Sequence, residues 1–207
     1  MAKGAPSKSE SFKAPKGGKD GKNGPAAAGD GAKNARGEGR KPSPSNALPQ
    51  DNLTPRFSAE DREALQTTLQ GSLYDLIHLG LVTKQAHWNV VGPNFRSVHL
   101  QLDEIYEFVQ ESTDEVAERL TALGMSPDGQ GPEVVANTRV QTISPGFHRD
   151  IETVELMAQR LHTTSEDMRA ALEPIEDVDT VTADLLHGVI EGLEKHLWML
   201  RAHLISA

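Results

Sequence analysis

"HWNVVGPNFRSVHLQLD", residues 87–103, places two histidines and an aspartate on either side of a turn between two segments with helical apolar spacing. Gly92 and Pro93 end the first segment, because glycine can adopt a left-handed cap and proline cannot continue a helix. His87 precedes this turn, whereas His99 and Asp103 follow it and lie about one helical turn apart. The turn therefore predicts two adjoining helices in which His87 folds back beside the His99–Asp103 pair.

Apolar residues recur at three- and four-residue steps in four long segments around this turn, which predicts four helices. Residues 124–145 form a Gly/Pro-rich crossover in which "PEVVANT", residues 132–138, is one short helix. No strand pattern and no internal repeat competes, so the fold class is all-α, a ferritin-like four-helix bundle with a long connection between the second and third helices. The predicted helices are helix A from Ser58 to about Val90, helix B from about Phe95 to 123, helix C from about 145 to 172, and helix D from about 180 to 205. The start signal of helix C is Ser144–Pro145.

The charge of the chain divides sharply along its length. Residues 1–50 carry ten Lys+Arg and four Asp+Glu, a net charge of +6, which leaves −15 on the remainder of a chain whose total is −9. Residues 1–55 are rich in Gly, Lys and Pro and predict a disordered basic tail, whereas residues 56–207 form the folded bundle. A basic tail attached to an acidic bundle favours binding of a polyanion through charge, with little base stacking.

Several classes of protein are disfavoured by composition. The chain has no cysteine, which excludes disulfides and thiolate metal sites. The lysine-rich N-terminus has no apolar stretch behind it and does not look like a secretory signal. No run approaches the roughly 18 apolar residues that a membrane span needs. We expect a soluble cytoplasmic protein without membrane contact.

Four potential metal ligands lie on one stripe of helix B, about 100° wide when residues are placed 100° apart: His99, Asp103, Asp114 and Glu118. The rise from Asp103 to Asp114 is roughly 16 Å, whereas metal–ligand bonds are about 2 Å long. The two pairs therefore cannot bind one ion within a single chain. Two copies of helix B that cross antiparallel near Phe108–Val109 would bring each His/Asp pair to the Asp/Glu pair of the other copy, giving two identical sites.

Mixed imidazole and carboxylate ligands without sulfur suit Fe(II), Mn(II) or Zn(II). A second, carboxylate-rich position favours a pair of irons, although spacing alone leaves the metal open. Taken singly, each acidic residue is more often part of a solvated surface, and each histidine is more often structural. Five such residues on compatible faces favour a metal site.

A second kind of metal site must be weighed. Asp75/His78 on helix A and Asp184/His187 on helix D form D-x-x-H pairs, which resemble the E-x-x-H pairs of di-iron sites inside a single bundle. The companion glutamates that such a site needs are not evident. The other histidines are interpreted as structural or surface residues.

"KQAHWNVVGPNFRSVHLQLDEIYEFVQESTDEVAERLTALG", residues 84–124, closely resembles the signature of the Dps family, the mini-ferritins known as DNA-binding proteins from starved cells. "TADLL…W", residues 182–198, also fits, and the resemblance covers roughly residues 58–205. It implies a hollow dodecamer with a di-iron ferroxidase centre, two irons per site, between two subunits, and no organic cofactor. It also implies oxidation of Fe(II), preferentially by hydrogen peroxide, and storage of the ferric mineral. The implied iron ligands are His87, His99, Asp103, Asp114 and Glu118.

The resemblance extends to residues beyond the ligands. Trp88 matches a tryptophan beside the site in that family, where it could accept stray oxidising equivalents; the alternative is a core aromatic. Asp184 matches an acidic pore on a three-fold axis, and Asp179 either lines the same channel or caps helix D. Glu107 and Glu111 either face the cavity and nucleate mineral or are ordinary surface residues.

Lysine-rich tails bind DNA in some members of this family, and the tail here predicts non-specific, salt-dependent binding to double-stranded DNA, multiplied by oligomer valency. The alternative is a tail that only solubilises the protein or modulates assembly. The main prediction is thus a DNA-protecting, iron-storing ferroxidase in the cytoplasm, associated with the nucleoid. A nucleoid-compacting structural protein with secondary metal binding, and an intra-bundle metal oxidase without a cage, remain as alternatives. The lysines predicted to contact DNA are Lys8, Lys13, Lys16, Lys19 and Lys22.

Overall fold

The computed structural model describes residues 57–205 and contains four long helices with a short helix in the connection between the second and third. This confirms the ferritin-like bundle. The proposed tail, with its five lysines, lies outside the described residues. The elements are α1 (Ala59–Asn89), β1 (Val90–Val91), α2 (Phe95–Ala122), α3 (Gly131–Asn137), β2 (His148–Arg149), α4 (Asp150–Leu172), a 3₁₀ turn (Glu173–Ile175) and α5 (Thr180–Ala202). Helices A to D are α1, α2, α4 and α5, and α3 is the short crossover helix.

The start of α1 is fixed by a capping box. Ser58 Oγ accepts a hydrogen bond from the backbone N–H of Asp61 at 3.1 Å, and the Asp61 carboxylate accepts the N–H of Ser58 at 3.3 Å. Two N–H groups that the helix itself leaves unpaired are satisfied in this way. The prediction that Ser58 caps helix A is confirmed.

The apolar stripe of α1 forms one wall of the core. Its leucines lie three or four residues apart and are at most 2% exposed. Burying such a side chain stabilises the fold by about 1.5–3 kcal/mol, so this stripe holds α1 firmly against α2 and α4. The α1 leucines are Leu65, Leu69, Leu73, Leu76 and Leu79.

Two differences from the sequence-based expectation occur at the start of α4. The helix begins at Asp150 rather than near 145, because Gly146 has a φ of +114° and the chain is extended at His148–Arg149. There β2 pairs in parallel with β1, with Val90 opposite His148. The expectation of no strand was wrong at these four residues, since two-residue strands are too short to produce an alternating pattern.

The crossover between α2 and α4 is anchored on a buried carboxylate. Asp75 of α1 is fully buried and accepts hydrogen bonds from Thr138 Oγ1 at 3.0 Å, from the backbone N–H of Arg139 at 2.7 Å and from Arg139 Nε at 2.8 Å. Hydrogen bonds to charged groups are stronger than neutral ones. Asp75 is thus committed to holding the long connection in place.

None of the helices within residues 57–205 combines the length and the apolar character that crossing a membrane requires.

Candidate metal centre

The turn between α1 and α2 brings three potential ligands together at one point. His87 lies in the last turn of α1, and His99 and Asp103 lie on α2. Each offers one ligand atom, and these atoms all lie within 4.8 Å of one another. Spacing of this order is what a single cation needs to contact all three. The proximity of these three residues within one chain is as predicted, and their role as ligands stays a prediction.

The two imidazoles are fixed relative to each other by stacking and by a hydrogen bond. Their ring centroids are 3.7 Å apart and the planes meet at 25°. His99 Nδ1 lies 3.0 Å from the backbone carbonyl oxygen of His87. A carbonyl only accepts, so Nδ1 of His99 carries the proton and Nε2 keeps its lone pair for a cation.

Asp103 is held ionised by its neighbours. Lys84 Nζ donates to Asp103 Oδ1 at 3.0 Å, and His87 Nε2 lies 2.9 Å from the same oxygen. Desolvation by burial opposes ionisation of this carboxyl, but the hydrogen bond from Lys84 and the approach of His87 outweigh it and keep the pKa of Asp103 below its usual value. The carboxylate is therefore charged at neutral pH and available to a cation that displaces the lysine.

His87 itself has no satisfactory partner among the described residues. Its side chain is only 10% exposed, yet neither ring nitrogen makes a well-directed hydrogen bond, because the approach to Asp103 is poorly aligned. Leaving a buried polar group unsatisfied costs about 1–3 kcal/mol. A cation bound by Nε2 would remove that cost for this nitrogen, which makes His87 the most informative residue of the group.

Asp114 and Glu118 do not join this group within one chain. Both are exposed on the C-terminal half of α2, and Asp114 lines a surface cleft together with Ile77, Gln110 and Pro127. Their separation from His99 and Asp103 follows from the helical rise between the two pairs. The assembly of all five ligands from two chains stays a prediction.

Trp88, adjacent to His87, is 65% exposed. The alternative that it packs into the core of its own bundle is therefore wrong, since a core aromatic would be nearly inaccessible to solvent. Trp88 is adjacent to the His87–His99–Asp103 group, and its proposed redox role stays a prediction.

The two aspartates assigned to a pore have different environments. Asp184 is exposed on α5, whereas Asp179 is only 4% exposed at the N-cap of α5. The Asp179 carboxylate accepts a hydrogen bond from Thr182 Oγ1 at 2.5 Å and forms an ion pair with Arg119 of α2. This environment favours the structural alternative for Asp179, while the pore role of Asp184 stays a prediction.

Two residues close to the predicted site were missed in the sequence. Lys84 lies three residues before His87 on α1, so helical spacing alone could have placed it on the same face. Arg119 follows the predicted ligand Glu118 directly, and its link to Asp179 spans 60 residues. No local signal points to that contact.

The alternative site inside the bundle is not formed. Asp75 is occupied by the crossover, and His187 on the surface lies 3.7 Å from Glu176. Across residues 57–205 the His87–His99–Asp103 group is the one place where three or more such ligands converge. Glu107 and Glu111 are exposed, and their proposed part in mineral nucleation is untested.

The fold and this histidine–carboxylate group define a ferritin-like protein. Residues 66–206 match the family model described as a ferritin-like domain. The chain is 40% identical over 157 residues to the DNA protection during starvation protein of Mycolicibacterium smegmatis, a match that covers 75% of this chain and 82% of the relative. It is 35% identical over 159 residues to DNA protection during starvation protein 2 of Deinococcus radiodurans, covering 76% of this chain and 66% of that protein.

A solved structure of Dps from Mycobacterium smegmatis in a tetragonal crystal form superposes with a TM-score of 0.71 at 36% identity, covering 74% of this chain and 93% of that one. This chain spans just under two thirds of the Deinococcus relative's length and most of the length of the mycobacterial proteins. The chain belongs to the Dps family.

Proposed function

We propose that this protein is an iron-storing ferroxidase that oxidises Fe(II) with hydrogen peroxide at sites shared between two chains and keeps the ferric product inside a dodecameric cage. The observation that carries the proposal is the convergence of His87, His99 and Asp103, in which the buried His87 imidazole has no well-directed hydrogen-bond partner among the described residues. The names of the two relatives, which refer to DNA protection during starvation, support a protective role.

The chemistry requires that two Fe(II) ions be held side by side as substrates. Each loses one electron, and one hydrogen peroxide accepts both, so that its O–O bond breaks and two hydroxide ions form. This pairing avoids the one-electron reaction that releases a hydroxyl radical. His87 and His99 would supply imidazole nitrogens, and Asp103 would supply a carboxylate that is already ionised.

In the proposed dimer, Asp114 and Glu118 of a second copy add two more carboxylates to each site. Three carboxylates offset most of the charge of two Fe(II) ions and favour the more highly charged Fe(III) product even more strongly, since carboxylate oxygens suit hard cations. The arrangement thus stabilises the oxidised state relative to the reduced one.

Stopped-flow oxidation of Fe(II), with peroxide compared with oxygen, tests the enzymatic part. Replacing His99 and Asp103 together by Ala should reduce the peroxide-dependent rate to that of Fe(II) without protein, while a Glu155→Ala control on the exposed face of α4 keeps the full rate. Wild-type kinetics in the double variant would remove the site assignment.

The cage is tested by size-exclusion chromatography on the same samples. A closed assembly of twelve chains of 22.4 kDa should elute at about 270 kDa. A monomer peak for the wild-type protein would reject the cage and favour a metal oxidase that acts as a single bundle.

DNA binding through the tail is the second proposed activity, and the charge division of the chain supports it. Residues 1–50 carry +6 while the remainder carries −15, so the body would repel DNA and the tail would attract it. If the protein mainly compacts the nucleoid, this tail rather than the metal centre is its principal functional element.

Deleting residues 1–50 separates the two activities. Iron oxidation should survive, and a gel shift of double-stranded DNA that weakens with added salt should disappear. A variant with Lys8, Lys13, Lys16, Lys19 and Lys22 replaced by Gln keeps the length of the tail and should also lose the shift. An undiminished shift in both variants would place DNA binding elsewhere.

A further inference from the structure

Asp150, the first residue of α4, lies against the turn that carries the metal centre. It is only 3% exposed, and its Oδ2 accepts the backbone N–H of Asn94 at 2.6 Å. That hydrogen bond is the main reason why the pKa of Asp150 is below its usual value, so the group is a carboxylate. Asn94 is the N-cap residue of α2, and its own side chain makes no capping hydrogen bond. The carboxylate of Asp150 therefore lies at the positive end of α2, supplied from a different helix.

The turn is shaped to receive this carboxylate. Gly92 has a φ of +140°, a conformation that residues with a side chain rarely adopt. A Cβ atom added to Gly92 would lie 2.6 Å from Cγ of Asp150, far inside contact distance. Glycine is thus required at this position both by the backbone conformation and by the close approach of Asp150.

The backbone on both sides reinforces the same contact. Val90 and Val91 pair in parallel with His148 and Arg149, the two residues directly before Asp150. The turn is consequently tied to the start of α4 at two places, through the backbone of β1 and through the N–H of Asn94. A segment held at both points cannot shift α2 along or away from α1 without breaking one of them.

The positions of the ligands depend on this turn. His87 lies three residues before it begins and His99 five residues after Asn94. Their ring separation of 3.7 Å and the bond from His99 Nδ1 to the His87 carbonyl both require that the two helices keep their present offset. Metal sites lose affinity when ligands depart by more than about 0.5 Å from the productive geometry.

We propose that Asp150 is a positioning residue of the metal centre, which fixes α2 against the end of α1 through Asn94 and so holds His87 and His99 at metal-binding spacing. The inference rests on the proposed function, since it assigns to Asp150 a part in that same site. Asp150 touches neither the metal nor the oxidant and acts only through the turn.

Binding of Co(II) to the full-length protein, followed by its visible absorbance, tests the proposal. Asp150→Ala should weaken Co(II) binding roughly tenfold, as is typical when a residue that supports a ligand is removed. Asp150→Asn keeps an oxygen that can accept the N–H of Asn94 and should restore most of the affinity. Glu155→Ala, on the exposed face of the same helix, should bind as the wild type does.

A purely structural role gives a different pattern. In that case Asp150→Ala lowers the melting temperature, but the folded protein binds Co(II) with wild-type affinity, and this result would overturn the proposal. If the wild-type protein binds no Co(II), or binds it equally well after replacement of His99 and Asp103, the proposed metal centre itself fails.

Gly92→Ala provides a second test, which can be used if Asp150→Ala does not fold. In the wild-type background its Cβ would displace the Asp150 carboxylate and weaken Co(II) binding. In an Asp150→Asn background the side chain has the same size and still accepts the N–H of Asn94, so Gly92→Ala should cause a loss of similar size. A Gly92→Ala variant that folds and binds Co(II) with wild-type affinity would show that displacing this side chain leaves the ligands in place, and would contradict the proposal.

Discussion

The two halves of α2 carry similar proposed metal ligands, but one pair is packed against other side chains and the other pair is exposed. In the N-terminal half, His99 and Asp103 are partly buried, contact His87 and Lys84, and follow a turn that Asp150 holds. In the C-terminal half, Asp114 and Glu118 are exposed, and within residues 57–205 neither side chain makes a hydrogen bond or an ion pair. One chain thus preorganises half of the proposed metal site and leaves the proposed ligands of the other half exposed, as expected if a second copy completes it.

Removing the open half should have the largest effect. Replacing Asp114 and Glu118 by Ala should lower peroxide-dependent Fe(II) oxidation by at least about 100-fold, beyond the 10- to 100-fold typical of losing a residue that only supports a ligand. Co(II) binding by the His87–His99–Asp103 group should persist, because that group is assembled within one chain. Stopped-flow kinetics and Co(II) titration of the same sample measure both. Loss of Co(II) binding as well would mean that the two halves are not separable.

Mixing inactive chains sharpens the comparison. An Asp114→Ala chain and a His99→Ala chain should regain activity when they form heterodimers, because one of the two sites then has every ligand intact. Random pairing makes half of all dimers mixed, so about a quarter of the sites should be active. Subunits unfolded, mixed and refolded together are compared with each variant refolded alone. Heterodimers verified by mass spectrometry that stay inactive would exclude sharing of the site between chains.

The point between the two halves offers an intermediate effect. Phe108 lies there, and a Cβ added to Gly192 of α5 would lie 2.1 Å from Phe108 Cζ. Gly192→Ala should lower the free energy of unfolding by about 1–3 kcal/mol through overpacking, measured by chemical denaturation with circular dichroism. The matched control is Gly188→Ala, where nothing lies within 4 Å of the added atom; it should stabilise α5 by up to about 1 kcal/mol. If Gly192→Ala and Gly188→Ala changed the free energy of unfolding equally, the close approach of α5 to Phe108 of α2 would be contradicted.

The smallest effect concerns the strand pair next to the preorganised half. Two neighbours raise the pKa of His148. The larger effect comes from the Ser144 carbonyl, 2.9 Å from His148 Nε2, and the smaller from the Glu152 carboxylate, 3.0 Å from Nδ1. These contacts stabilise the folded protein when His148 is protonated. That stabilisation is fully present below the unfolded-state pKa of about 6.5 and is lost as pH rises through the higher folded-state pKa. The melting temperature, measured at pH values between the two pKa values, should fall as pH rises, and His148→Gln should remove that part of the pH dependence. An unchanged profile would show that His148 does not titrate as inferred.

Local sequence features predicted the helices and one half of the site. The leucine spacing of α1, the Ser58 cap and the Gly92–Pro93 stop are signals within a few residues of the structures they determine. The His87–His99–Asp103 group spans only one turn between two helices, so spacing was enough to bring it together. The start of α4 was misplaced because Ser144–Pro145 looks like a helix start, whereas the parallel pairing of β2 with distant β1 keeps the chain extended to Arg149.

The sequence by itself determined the all-α bundle and the placement of the proposed ligands in two separated pairs on α2, because both follow from helical periodicity and rise. Only the tertiary structure decided two contacts at the ends of α2: Arg119 with Asp179, and Asp150 with the turn at Asn94. These contacts join residues 60 and 56 positions apart. Pairings of that kind depend on how whole helices pack against one another, and no spacing within a single helix encodes them.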